Sequence, residues 1–321
     1  MRHDMTHATT ARTAVGAGGR VALVTGATDG IGRAVALRLA RGGDRVLAVG
    51  RDEARGARLL AALDAAYAGA NHVFLRADLS LMRETARLAD EVARRADRLD
   101  AAVFCAGILS TRAEWTAEGL EHTLALNYLS RFLLARRVLP LLARAPSGRL
   151  VLVANAGRYA DTLDLDDLQH RRGRPGLHVA GRTQFANDLL ATELAARLRG
   201  TRVEVTCVFP GVTRTSFVRN ARGLPRVARA LASVLLPLLG MPPAAAADTP
   251  TFLAQDPAAV GTGGRFFGPR RRPRPIPARA TQPERRAALW TVSEALVRSY
   301  LPAAGASPDA AASLAAAAHT P

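Results

Sequence analysis

From Val21 onward the chain alternates between two patterns of apolar and polar positions. Short Val-rich runs are apolar almost throughout and bounded by Gly, Asp or Arg: VALVT (21–25), RVLAVG (45–50), HVFLRA (72–77), AAVFCA (101–106), RLVLVA (149–154) and VEVTCVF (203–209). Between them, stretches such as IGRAVALRLARGG (31–43) and RETARLADEVARRA (83–96) carry apolar residues at helical spacing. Strands without polar alternation are buried on both faces, and regular strand–helix alternation makes them parallel. The pattern predicts an α/β fold, a doubly wound parallel sheet, in a single domain over about 20–302. Residues 1–19 contain no apolar core and read as a disordered leader rather than a secretory signal, and the Ala-rich 303–321 as a flexible tail. Residues 216–247 are different. Val227, Leu231, Val234, Leu235, Leu238 and Leu239 give them a strongly apolar helical stripe. The stripe suits a lid over an apolar small molecule, or a helix packed on the core or on a neighbouring subunit; membrane contact is the weaker alternative.

The 321 residues are 49% hydrophobic and 22% charged, an ordinary globular balance, and no window of ~18 uninterrupted apolar residues predicts a membrane span. Cys105 and Cys207 fall inside predicted strands, so a disulfide framework is not expected and a reducing cytoplasm fits. The net charge of +17 invites a nucleic-acid reading. However, all 44 basic residues are Arg and none is Lys, which looks like coding bias. Residues 265–286 hold a basic patch, but no stacking aromatics interleave with its arginines, so no nucleic-acid partner is expected.

Chemistry enters at TGATDGIG, Thr25–Gly32, between the first strand and the first helix. A turn this tight needs residues without Cβ clash, and it points backbone N–H groups at a pyrophosphate on the helix N-terminus. Its T-G-x-x-x-G-x-G spacing resembles the short-chain dehydrogenase/reductase family. Other segments carry the likeness further: ADLS (77–80), CAG (105–107), TAEGLEHTLALNYLSRFLL (116–134), FPGVTRT (209–215), and a C-terminal GRFFG followed by a Leu-Trp helix, as in the retinol-dehydrogenase-like branch. The resemblance implies a Rossmann-like fold and a nicotinamide cofactor. It implies cofactor contacts from Gly26, Thr28, Gly30, Ile31 and Gly32 in the turn, Asp78 and Leu79 near the adenine, Ala106 and Gly107, and Pro210 and Gly211 over the nicotinamide. It also implies Asn127 as the family's Asn on the long helix, and the dimers or tetramers common in the family. Arg51, at the end of the second strand, favours the 2′-phosphate of NADP(H), which an Arg grips bidentately. Asp29 inside the turn opposes it.

The family works with a Ser, a Tyr and a Lys. Aligned through FANDLLATELAARL, this chain has Ala180 at the tyrosine, Gln184 at the lysine and Asn155 at the serine. His178 and Arg182 form another four-residue pair, but a shift of two residues turns a helix face by about 200°. Without any lysine in the chain, no register restores the usual set. Asn155 can donate a hydrogen bond to a carbonyl or oxyanion but is no base near neutral pH. Tyr159 and His178 are the candidates for handling a proton, and Gln184 can still bond a ribose hydroxyl. The leading expectation is an NADP(H)-binding enzyme acting on an apolar, polyketide-like molecule in a specialised pathway. Its reaction is either redox-neutral (cyclisation, isomerisation, elimination) or an atypical hydride transfer. The rivals are a non-catalytic scaffold paired with an active partner, and an ordinary dehydrogenase if the register is misread.

Overall fold

Six of the eight strands in the sheet are those the apolar runs predict. The computed structural model describes residues 19–173, 178–213 and 240–301, so the leader, the tail and most of the apolar lid segment lie outside the described residues. The strands are β1 (Val21–Thr25), β2 (Arg45–Gly50), β3 (Val73–Arg76), β4 (Ala101–Phe104), β5 (Gly148–Val153) and β6 (Val203–Val208), joined by β7 (Phe266–Phe267) and β8 (Pro273–Arg274). Their order is β3-β2-β1-β4-β5-β6-β7-β8, parallel throughout except for β8, which runs antiparallel to β7. The order reverses between β1 and β4, and that switch point is where open α/β sheets place a ligand.

Period-two alternation explains why the strands read as continuous apolar runs. In β1, Leu23 belongs to one core and Ala22 and Val24 to the other. The first core is closed by α3 (Met82–Arg95), a long helical run, α6 (His178–Arg197) and α9 (Pro283–Val297). The second is closed by α1 (Gly30–Arg41), α2 (Glu53–Ala66) and α8 (Asp248–Gln255), with the short α7 (Pro243–Ala246) beside α1. Leu39, Leu59 and Leu63 on that side, like Leu88, Leu133 and Leu194 on the other, are fully or almost fully buried.

The long run departs from expectation at its start. Residues 116–121 form a turn, with the Thr116 N–H donating to the Leu120 carbonyl and a bridge pairing Trp115 with Glu121. Helix begins only at α4 (His122–Leu124) because Glu121 caps it, accepting from the Thr123 and Leu124 N–H groups at 2.9 and 2.8 Å. A π turn (Ala125–Leu129) then widens the helix before α5 (Ser130–Ala143). Such turns often mark functional sites, and this one carries Asn127.

Candidate functional site

The glycine turn is shaped by contacts that only glycine permits. Gly26 has φ +65°, and a Cβ there would stand 2.9 Å from the Ala106 backbone. A Cβ on Gly32 would lie 2.3 Å from the Gly26 carbonyl. The exit of β4 is therefore drawn against the turn, where Thr25 Oγ1 accepts from the Cys105 and Ala106 N–H groups at 3.1 and 3.2 Å. Asp29 caps α1, accepting from the Gly30 N–H at 2.7 Å.

These elements border a cleft of about 680 Å³ along the C-terminal ends of the strands. That size lies within the range of small-molecule and cofactor sites. Gly26, Thr28, Gly30, Ile31, Gly32 and Arg51 line one end, with Leu79, Ala106 and Gly107 in the wall. Asn155, Tyr159, Gln184, Pro210 and Gly211 line the other end. Arg51 follows β2 and Asn155 follows β5, three strand spacings away, or roughly 14 Å. The cleft is thus long enough to take a dinucleotide lengthwise.

Two predicted contacts stand elsewhere. The Asp78 side chain is not in the cleft wall; its carboxylate accepts from the Ser80 N–H and hydroxyl at 3.0 and 2.7 Å and faces Arg51 at 4.0 Å. Asn127 is buried behind the wall. Its Oδ1 accepts from the Ile108 N–H at 2.8 Å and its Nδ2 donates to the Ile108 carbonyl at 2.9 Å. With both amide atoms committed, it clamps the strand exit rather than touching a reactant.

Helix α6 settles which of its residues face inward. Gln184 lines the cleft. Arg182, about 200° round the helix from it, is buried in a 2.7 Å ion pair with Glu121. His178, six residues before Gln184 and about 240° away, is exposed, and its ring meets His170 at 3.3 Å. It is not among the cleft-lining residues, so the expectation that His178 handles a proton there has no geometric footing.

Tyr159 is held differently. The loop leaving β5 is pinned at several points. Asp188 Oδ2 accepts from the Gly157 N–H at 2.9 Å, and Arg274 Nε donates to the Ala156 carbonyl at 2.9 Å. The Arg158 guanidinium lies 4.3 Å over the Phe209 ring. Ala156 adopts φ 32°, a left-handed value that a non-glycine residue holds only under such constraint. The pinned loop lays the Tyr159 ring against Gly181 on the first turn of α6, where an added Cβ would come within 3.1 Å of Tyr159 Cδ1. Among the described residues, none hydrogen-bonds the Tyr159 hydroxyl or the side-chain amides of Asn155 and Gln184, so all three polar ends are available to a ligand.

Three basic cleft residues were not predicted from the sequence. Arg55 stands beside Arg51 at the cofactor-turn end and pairs with Asp29 at 3.6 Å. Its place in the first turn of α2, four residues after Arg51, was legible in the sequence. His122 and Arg131 come from the helical run, and nothing in the sequence announces that its π turn brings them to the wall. The basic patch of 265–286 is largely engaged internally: Arg271 pairs with Asp248, Arg285 with Asp161 and Arg286 with Glu193.

Residues 20–161 match the family model for short chain dehydrogenases. The chain is 30% identical to human retinol dehydrogenase 14 over 293 residues, covering 87% of this chain and 86% of that one. It is 36% identical over 283 residues to a Streptomyces sp. (strain C5) protein named for daunorubicin C-13 ketoreduction, with 87% and 93% covered. Among solved structures, a Shigella flexneri short chain dehydrogenase complexed with NADP superposes with a TM-score of 0.60 at 26% identity, covering 78% of this chain and 96% of that one. The Cβ-free cradle at Gly26 and Gly32 and the length of the cleft fit a nicotinamide dinucleotide. With its glycine turn, its strand order and these relatives, the chain belongs to the short-chain dehydrogenase/reductase family, in the retinol-dehydrogenase-like branch.

Proposed function

We propose that this protein is an NADP(H)-dependent oxidoreductase that reduces a ketone on an apolar, polycyclic or polyketide-like molecule, using a relocated tyrosine as its proton donor. The observation that carries this reading is the position of Tyr159. Its ring rests on Gly181, one residue past the Ala180 that replaces the family's tyrosine, and it shares the cleft with Asn155 and Gln184.

A nicotinamide cofactor bound in the cleft supplies the hydride. The residues do the rest. Arg51 and Arg55 face the position expected for the 2′-phosphate; both are cations on the cleft wall, and Asp29 is drawn aside by its bonds to Gly30 and Arg55. The Gln184 amide offers hydrogen bonds to ribose hydroxyls in place of the absent lysine. The Asn155 amide donates to the substrate oxygen and stabilises negative charge as it develops. The Tyr159 hydroxyl delivers the proton to that oxygen. Without a lysine beside it, its contribution is expected toward the lower end of the 10²–10⁴-fold that a positioned acid supplies. The name of the Streptomyces relative supports a polycyclic ketone as the substrate class, and the apolar stripe of 216–247 suits a cover over such a molecule. The reading is of a cytoplasmic protein, in keeping with its free thiols. Among the described residues no helix is long and apolar enough to cross a membrane.

The test is Tyr159→Phe against the parent, following oxidation of NADPH and deuteride transfer from 4-deuterated NADPH to a panel of polycyclic ketones. The expected result is transfer by the parent and a kcat lower by about 10²-fold in the variant. Equal kcat would remove Tyr159 from the chemistry. Turnover without deuterium in the product would favour a redox-neutral reaction instead.

A further inference from the structure

Arg131 is a buried cation without a countercharge among the described residues. It follows the π turn, and it is one of the residues that line the cleft although it is only 5% exposed. Nη2 donates to the Ala106 carbonyl at 2.9 Å and Nη1 to Asn187 Oδ1 at 3.3 Å, while Nε is buried with no hydrogen-bond partner. Among the described residues no carboxylate pairs with it. The ionisable groups facing it are the thiols of Cys105 and Cys207. Burial pushes Cys105 up to about 12 and Cys207 well above the ordinary thiol value, so both stay neutral. Burial also brings Arg131 down to about 10, which still leaves it charged at neutral pH.

Taking a charge out of water costs several kcal/mol unless something answers it. What lies around Arg131 is the wall of the cleft. Ala106 and Gly107 belong to that wall, and Asn187 stands three residues after Gln184, on the same side of α6. The chain has no lysine, and the other arginines lining the cleft, Arg51 and Arg55, belong to its far end.

We propose that Arg131 is a positioning residue that supplies the fixed positive charge at the nicotinamide end of the cleft, biasing the site toward the reduced cofactor and toward a substrate oxygen gaining negative charge. This rests on the reading of the cleft as an NADP(H) site. The physical consequence is specific. The oxidised nicotinamide ring is a cation and the reduced ring is neutral, while the rest of the two molecules carries the same charge. A nearby fixed cation therefore weakens NADP⁺ relative to NADPH, and a residue that merely packs changes both alike.

The experiment is calorimetric titration of the full chain with NADPH and with NADP⁺, for the parent, Arg131→Gln and Arg131→Lys, with circular dichroism to check folding. The parent is expected to favour NADPH. Arg131→Gln should move the ratio of the two dissociation constants toward NADP⁺ by about tenfold, the size expected when a unit charge about 12 Å from the ring is removed at an effective dielectric constant of about 20. Arg131→Lys should retain the parent's ratio. If Arg131→Gln does not fold, Arg131→Met serves instead, because it keeps an unbranched side chain of similar length and removes the charge; the same shift is expected. An unchanged ratio in the folded neutralising variant, with both affinities falling together, would overturn the proposal. Failure of the parent to bind either nucleotide would instead overturn the cofactor reading, and this inference with it.

Discussion

Replacing Asp188 with Asn is expected to make the protein more stable at pH 8, by a margin that shrinks as the pH falls. The Asp188 carboxyl is buried beneath the loop that carries Asn155 and Tyr159. It accepts from the Gly157 N–H at 2.9 Å, lies 3.7 Å from Cys207 Sγ, and feels the charge of Arg274. Burial raises it from the ordinary 3.8 to about 7; the two hydrogen bonds and Arg274 offset only part of that rise. The folded state thus holds this proton more tightly than the unfolded chain does. The stability it contributes is fully present below pH 3.8 and is lost as the pH rises through about 7. At about 1.4 kcal/mol per pH unit, the loss is bounded at about 4 kcal/mol. Asn keeps an acceptor for Gly157 and cannot ionise. Urea unfolding followed by circular dichroism from pH 4.5 to 8.5 should show the variant's stability diverging above the parent's, levelling off beyond pH 7. Parallel curves across that range would show that Asp188 ionises as an exposed carboxyl does, and the reasoning from burial would fail.

Two further outcomes follow from charged pairs. Arg182→Leu strands the Glu121 carboxylate, which is fully buried and caps α4, so it should cost about 3–5 kcal/mol in urea unfolding, with part recovered by adding Glu121→Gln; a loss under about 1 kcal/mol would mean that water reaches the pair. Arg51→Ala should weaken NADPH binding by about tenfold while leaving NADH nearly unchanged in fluorescence titration, since only the 2′-phosphate distinguishes them; equal losses would place Arg51 outside phosphate recognition.

Much of the fold was legible because its strands are buried on both faces. The six Val-rich runs became β1–β6 with ends shifted by at most a residue or two, since no polar face could compete for their register. β7 and β8 are two residues each, too short to show any period. They were legible only in part, through the likeness of GRFFG to a family segment. The start of the long helix was misplaced by six residues: Gly119, at φ 71°, interrupts the run, and the Glu121 cap sets where the helix begins.

In the site, the sequence by itself determined the glycine turn, Arg51 and the absence of any lysine, because these depend only on residue identity and on fixed spacing along one strand or turn. Tertiary structure decided the rest. Tyr159 and His178 looked equivalent as proton donors along the chain, and the choice between them depends on how α6, β8 and the residue after β6 pin one loop and how α6 is rotated about its axis. Asn127 was legible as a family position, but not as a residue whose amide is engaged by Ile108 and Thr183. Arg131 was one arginine among 44, and Asp188 one carboxylate among 27 acidic residues. What sets them apart is where they are buried, Arg131 in the wall of the cleft and Asp188 beneath the loop that carries Tyr159, and burial comes from residues distant in the chain that only the packed sheet and helices bring together.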